Sequence, residues 1–323
     1  MAHYDIFNGD ADGILALHQL RLNEPRESTP VTGVKRDIKL LAKVAAARGD
    51  SLTVLDISLD SNRNELSRLL DGGATIEWFD HHFAGDIPDS PALTAHIDTS
   101  ADTCTSLIVN AHLGGRYLAW AVAAAFGDNL EAAARKAAEP LGYSSSKLAA
   151  LAALGTSINY NGYGVTIDDL YFSPEELYRQ ISQYVDPFAF IHESAAFGVL
   201  KRGVDEDMSK AAAVVPELEE ERVALHLFPD APWARRVSGV FGNDLASRYP
   251  GRAHALATLL PDGCYRISVR APLADKRGAD ELCMRFPTGG GRKGAAGINA
   301  LPPELFASFI DEFRRQYAGQ GVS

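Results

Sequence analysis

The first eighty residues alternate short apolar runs with helical patterns, and this alternation constrains the architecture more than any other feature of the chain. Residues 4–7, 30–34, 51–55 and 74–79 read as strands, and 13–22, 38–47 and 61–70 between them read as helices. Strands this short and apolar, separated by helices, predict a parallel sheet covered on both faces. Such sheets assemble their sites at the carboxyl ends of the strands. The expected fold class is therefore α/β.

Residues 117–143 are Ala-rich and helical in pattern, and 144–154 read as a further helix. Ser173-Pro174-Glu175-Glu176 is a helix start, with a capping hydroxyl, proline in the first turn and acids at the positive end of the dipole. Residues 186–223 are largely helical, charged and poor in motifs, and read as a connector. A smaller domain is expected from residue 224. It holds a helix near 243–248, strands at 254–260 and 265–271 joined by a Pro-Asp-Gly turn, and a glycine-rich loop at 288–297. It closes on an amphipathic helix whose Leu305, Phe306, Phe309, Ile310 and Phe313 share one face. The expected division is 1–185, 186–223 and 224–323.

A formal charge of −11 argues against a protein that coats long nucleic acid through a wide basic surface, though it leaves room for a small basic pocket. No segment approaches the roughly 18 uninterrupted apolar residues of a membrane span. The opening MAHYDIFNGD has neither a basic nor an apolar leader region. Cys104, Cys264 and Cys283 lie far apart with no metal-ligand spacing. These features suit a reducing cytoplasm, the expected location.

Four spots could carry chemistry, each at the end of an expected element. Asp10 and Asp12 lie in FNGDADG, where a D-x-D pair on a tight loop can aim two carboxylates at neighbouring metal positions. Asp56 ends the apolar strand VLD. Asp80, His81 and His82 directly follow another strand, so that imidazoles can ligate a borderline metal while Asp80 orients one of them. Asp128 follows an apolar helix in AAAFGDN, where the helix dipole opposes a carboxylate and some compensating partner is needed. Taken singly, each has a plain alternative as a helix cap or a solvated surface group. Together they place several carboxylates and two imidazoles on one edge of one sheet. That donor set suits Mn²⁺, with Co²⁺, Fe²⁺ or Mg²⁺ as substitutes, and two such ions can activate a hydroxide for in-line displacement at phosphorus. In the second domain, Gly289, Gly290 and Gly291 followed by Arg292 and Lys293 favour an anion, and Arg266, Ser268 and Arg270 share one face of a strand. Here too the alternatives are a tight loop and surface arginines.

The ordered set D-A-D-G, an isolated Asp, D-H-H, a further Asp and a C-terminal G-G-G-x-x-x-A-A-G resembles the DHH phosphoesterase superfamily and its DHH-associated substrate-binding domain, over nearly the whole chain. The resemblance implies a Rossmann-like catalytic domain with a dimanganese site and a smaller α/β domain that holds substrate. It implies metal ligation by Asp10, Asp12, Asp56, His81 and Asp128, with Asp56 bridging. His82 would face the phosphoryl group or protonate the leaving oxygen, and Asp80 would orient a neighbour. Arg270 and residues 289–293 would hold a distal phosphate or nucleotide.

Two departures stand out. Many relatives carry His where this chain has Ile6, a feature RecJ-type exonucleases also lack, and Asn8 is a candidate replacement ligand for a metal or its water. The loop reads G-G-G-R rather than G-G-G-H, and arginine clamps phosphate but cannot act as a base. The turn-rich run 155–164 includes Asn159 and Asn161 but suggests no defined chemistry. The expected activity is metal-dependent hydrolysis of short oligonucleotides, linear dinucleotides or pAp-like nucleotides. The alternatives are a RecJ-type single-strand exonuclease and a non-catalytic nucleotide-binding protein; an inorganic pyrophosphatase fits the GGG/AAG pattern less well. Homodimers occur among compact relatives, and no stretch here identifies an interface.

Overall fold

The structure, a computed structural model, describes residues 1–318. The chain divides into two compact units, Met1–Gly203 and a second beginning at Val204.

In the first unit the strands are β1 (His3–Phe7), β2 (Thr29–Val31), β3 (Ser51–Leu55), β4 (Thr75–Asp80) and β5 (Leu93–Ile97). They form one wholly parallel sheet in the order β2-β1-β3-β4-β5. Helices α1 (Ala11–Asn23), α2 (Arg63–Asp71), α3 (Thr105–His112), α4 (Leu118–Gly127), α5 (Glu131–Ala137), α6 (Ser145–Asn161), α7 (Pro174–Ile181) and α8 (Pro187–Glu193) complete most of it. Successive strand residues point to opposite faces, so the apolar pairs feed two cores. Ile6, Val54 and Trp78 pack with Leu40, Leu41 and Leu66 on one side. Phe7, Leu55 and Phe79 pack with α1, α3, α4 and α6 on the other. The expected sheet, covered on both faces, is what forms. Its order reverses between β1 and β3, and in sheets of this kind ligands bind at the carboxyl edge beside such a switch point.

Three local expectations are corrected. Residues 38–47 do not form an α-helix but only a short 3₁₀ turn, Leu40–Lys43. Side chains take its carbonyls: Asn62 donates to Ile38, and Arg68 to Leu41 and Val44. Strand β5 lies outside the expected set, because LTAHI is only partly buried and lacks a clean apolar run. Helix α6 runs through most of the turn-rich stretch, to Asn161. Gly155 is there for close packing. A Cβ at that position would lie 1.8 Å from the Ala123 carbonyl oxygen of α4.

Residues 186–223 hold α8, then α9 (Ala195–Ala212), within which the division between units falls, then β6 (Leu218–Glu219). The second unit continues with β7 (Val223–Phe228), α10 (Pro232–Arg248), β8 (Ala253–Leu259), β9 (Tyr265–Arg270), α11 (Ala279–Cys283), β10 (Gly289–Arg292), β11 (Ala295–Leu301) and α12 (Phe306–Ala318). Its sheet runs β10-β11-β9-β8-β7-β6, with only β7 and β8 parallel. Ile267, Val269, Leu225 and Ala255 pack with Phe309 and Phe313 in one core. Phe228 and Leu256 pack against Val237 and Phe241 of α10 in another. The expected glycine-rich loop at 288–297 is instead a hairpin with Lys293 and Gly294 at its turn. Gly289 lets it lie close to α11, since a Cβ there would sit 1.8 Å from the Cys283 carbonyl oxygen. Among the described residues no helix is long and apolar enough to cross a membrane.

Candidate metal centre

The carboxyl edge of the first sheet gathers the acidic residues, each fixed by local backbone. Asp10 caps α1, its Oδ1 accepting the N–H groups of Asp12 and Gly13 at 3.0 and 3.1 Å. That turns Asp12 inward from the first turn of the helix. Its two oxygens each accept a backbone N–H from the start of α3, Thr105 and Ser106, both at 2.7 Å. Asp56 leaves β3 in the left-handed region with φ of 58°, a conformation that costs a non-glycine residue energy. Its backbone N–H donates to Phe79 and its Oδ1 accepts the Thr105 hydroxyl at 3.2 Å. Asp128 stands at the end of α4. Asn129 takes the left-handed position after it with φ of 62°. The Asn129 and Leu130 N–H groups then return to Phe126 and Ala125, closing a Schellman motif that holds Asp128 in place.

His81 joins these acids. Its Nε2 is 3.5 Å from Asp56 Oδ1, 3.8 Å from Asp128 Oδ2 and 4.0 Å from Asp12 Oδ2. His82 Nδ1 lies 2.7 Å from Asp80 Oδ1 and 3.9 Å from Asp56 Oδ1. Among the described residues, two triads have ligand atoms mutually within 4.8 Å: Asp56, His81 and His82, and Asp12, His81 and Asp128. His82 thus stands within ligand distance of Asp56 and His81, and its Nδ1 is in hydrogen-bond contact with Asp80 Oδ1.

Electrostatics show how much negative charge is packed here. Burial, reinforced by the charges of Asp10, Asp12, Asp80 and Asp128, pushes the Asp56 carboxyl well above the usual range. Burial and Asp12 likewise push Asp128 up to about 6. The Asp80 hydrogen bond outweighs burial at His82 and raises it. These are the conditions that a divalent cation relieves, and mixed carboxylate and imidazole donors suit Mn²⁺, Co²⁺ or Mg²⁺ to differing degrees.

Asp10 departs from the expected pattern. Its Oδ2 is 2.6 Å from Lys35 Nζ, a residue that sequence reasoning passed over. The same ammonium donates to Asn159 Oδ1 at 2.9 Å and Asp128 Oδ1 at 3.4 Å. Burial opposes the ionisation of Asp10, but Lys35 and the Gly13 N–H prevail and hold it below the usual carboxylate value. Burial also opposes the charge on Lys35, yet Asp10, Tyr163 and Asp128 raise it above an ordinary lysine. Asn8 donates its Nδ2 to the Lys35 carbonyl at 3.3 Å, while its buried Oδ1 has no hydrogen-bond partner among the described residues. Asn161 has a scaffolding role, accepting the N–H groups of Tyr171 and Phe172.

In the second unit, cross-strand register aligns Arg292 with Ala295, Ala295 with Arg270, and Arg270 with His254. Arg292 and Arg270 thus share a row and a sheet face, two strands apart. Arg270 is braced by Asn243 Oδ1 at 2.7 Å and Ser268 Oγ at 3.1 Å. Gly290, Gly291 and Lys293 complete the hairpin beside them.

No family model and no curated protein matches this sequence. Solved structures do match its fold. An exonuclease RecJ bound to manganese superposes with a TM-score of 0.66 at 16% identity, over 99% of this chain and 91% of that one. RecJ from Thermus thermophilus in complex with Mn²⁺ gives 0.65 at 17% identity, over 99% of this chain but 52% of the longer RecJ. The pGpG-specific phosphodiesterase PggH from Vibrio cholerae gives 0.57 at 12% identity, over 98% of this chain and 100% of that one.

Proposed function

We propose that this chain, which has the fold of the DHH phosphoesterase superfamily, is a divalent-metal-dependent phosphoesterase acting on short nucleotides: linear dinucleotides, short oligonucleotides or pAp-like molecules. The observation that carries this reading is the convergence on His81 of Asp12, Asp56 and Asp128, delivered by three separate elements to one sheet edge. Asp12, Asp56, His81 and Asp128 would hold the metal, with Mn²⁺ as the first candidate. When bound, such an ion polarises a phosphoryl oxygen and lowers the pKa of water at the site. Thr105 and Ser106 fix Asp12 through their amides, and the left-handed turn aims Asp56. His82, raised by Asp80, carries a proton suited to a departing alkoxide. Arg270, Arg292, Lys293 and the Gly289–Gly291 strand would bind a phosphate group, with arginine as a bidentate clamp.

One feature favours a short substrate: the net charge of −11 gives no wide basic surface for tracking a long strand. The test is hydrolysis, with Mn²⁺ and with chelator, of a panel holding pAp, a linear dinucleotide, a five-mer, a 20-mer and pyrophosphate. Metal-dependent cleavage that declines with chain length supports the reading. Preference for the 20-mer with a steep salt dependence would move the assignment to a single-strand exonuclease.

A further inference from the structure

We infer that this centre takes a single divalent ion, with the Lys35 ammonium fixed where a second ion would otherwise bind. This inference rests on the metal reading above. Among the described residues, both triads able to hold a metal include His81, and neither includes Asp10. The donors on the far side of the cluster, Asp10 Oδ2, Asp128 Oδ1 and Asn159 Oδ1, converge instead on Lys35 Nζ, at 2.6, 3.4 and 2.9 Å. An ion ligated by those three oxygens would have to stand where they converge. It would therefore overlap the space that the ammonium fills, and its charge would repel the lysine at contact distance.

Lys35 is also built into its place. Its backbone N–H donates to the Gly162 carbonyl at 3.0 Å, and its carbonyl accepts from Asn8. Its ammonium stands 5.7 Å from the centre of the Tyr163 ring, and its side chain is 24% exposed. Asn159, which meets the ammonium through Oδ1, is itself held by a hydrogen bond from its Nδ2 to the Tyr163 hydroxyl at 3.0 Å. Ile6, in β1, is fully buried in the core and offers no donor atom. A second ion at this place thus meets a resident cation. The ammonium supplies one positive charge to the carboxylates, does not exchange with solution, and leaves the Asp12, Asp56, His81 and Asp128 set to one metal.

The test is metal stoichiometry on the full chain. Apo protein is equilibrated with Mn²⁺, desalted and measured by native mass spectrometry and elemental analysis, and the bound manganese is examined by electron paramagnetic resonance. The expected result for the wild type is one Mn²⁺ per chain with the hyperfine pattern of an isolated ion. Lys35→Ala, which frees Asp10, Asp128 and Asn159, is expected to bind two and to show the broadened spectrum of an exchange-coupled pair. Two coupled ions in the wild type would overturn the inference while leaving the phosphoesterase reading intact. So would a folded Lys35→Ala that stays at one ion. No bound Mn²⁺ at all would overturn the metal reading and this inference with it. The wild-type spectrum decides the question even if the variant does not fold.

Discussion

His82 Nδ1 lies 2.7 Å from Asp80 Oδ1, and that same oxygen accepts the backbone N–H of His81 at 2.9 Å. One fully buried carboxylate therefore orients both members of the histidine pair. Asp80→Asn keeps the shape but removes the charge that holds the His82 proton. Loss of such an orienting partner typically costs about 10–100-fold in activity or metal affinity. The expectation is a kcat lower by about that factor with little change in KM, measured on a linear dinucleotide with Mn²⁺. A variant with wild-type kcat would remove Asp80 from the mechanism.

Asp128 depends on how tightly α4 and α6 pack. Gly155→Ala would put a methyl against the Ala123 carbonyl, in a region that also holds Gly127. Overpacking of this kind costs about 1–3 kcal/mol. Urea unfolding should show that loss, and Mn²⁺ affinity should fall with it because Asp128 moves with the end of α4. Unchanged stability would mean the two helices can separate freely.

In the second unit, Asp207 and Arg236 form a buried pair, with contacts of 2.8 and 2.9 Å to one carboxylate oxygen. Both residues are shielded from solvent. Asp207→Ala takes away the carboxylate that faces the buried guanidinium, and removing one partner of such a pair costs about 3–5 kcal/mol. A lowered denaturation midpoint is expected, with the residues of the metal centre untouched in sequence. If the midpoint stays within experimental error, the pair is not holding this unit together.

Acid stability should carry a histidine signature. Burial lowers His18 from its ordinary 6.5 to about 4, while its Nε2 shares a hydrogen bond with the Tyr184 carbonyl. Above pH 6.5 both folded and unfolded chains hold it neutral. As pH falls towards 4, the unfolded chain gains a proton that the fold refuses, so stability is lost across that window, on the order of 3 kcal/mol. Asp5 adds a further loss between 3.8 and about 2, because Arg21, His3 and Ser28 overcome its burial and keep it ionised. Chemical denaturation from pH 7 to 4 should show the first decline, to which His254, likewise lowered by burial to about 4, also contributes, and His18→Gln should reduce it. A slope unchanged in that variant would assign the acid limb to other groups.

The acids at the strand ends were legible because each follows an apolar run that could only be a strand or a buried helix. FNGDADG, VLD and WFDHH announce Asp10, Asp12, Asp56 and the Asp80–His82 group in this way, and Asp128 follows AAAFG. Lys35 was not legible. It stands in VTGVKRD beside Arg36, where nothing marks one cation as half-buried, and only its place after β2 points to the same edge. Thr105 and Ser106 were missed because β5 was missed, so the chain's return to that edge went unseen. The helix expected over 38–47 failed because its carbonyls bond to Asn62 and Arg68, partners more than twenty residues away. GGGRKGAAG reads as a loop by composition, yet pairing with β9 through β11 draws it into a hairpin.

The most direct test of the central claim compares the wild type with His81→Ala, measuring Mn²⁺ binding by calorimetry and hydrolysis of a linear dinucleotide on the same preparations. The prediction is Mn²⁺-dependent cleavage by the wild type that chelator abolishes, with Mn²⁺ affinity and turnover both lost in the variant while its fold, checked by circular dichroism, persists. Cleavage that survives both the substitution and the chelator would contradict the account, because the carboxylates of Asp12, Asp56 and Asp128 would then have converged on His81 for some purpose other than holding a metal.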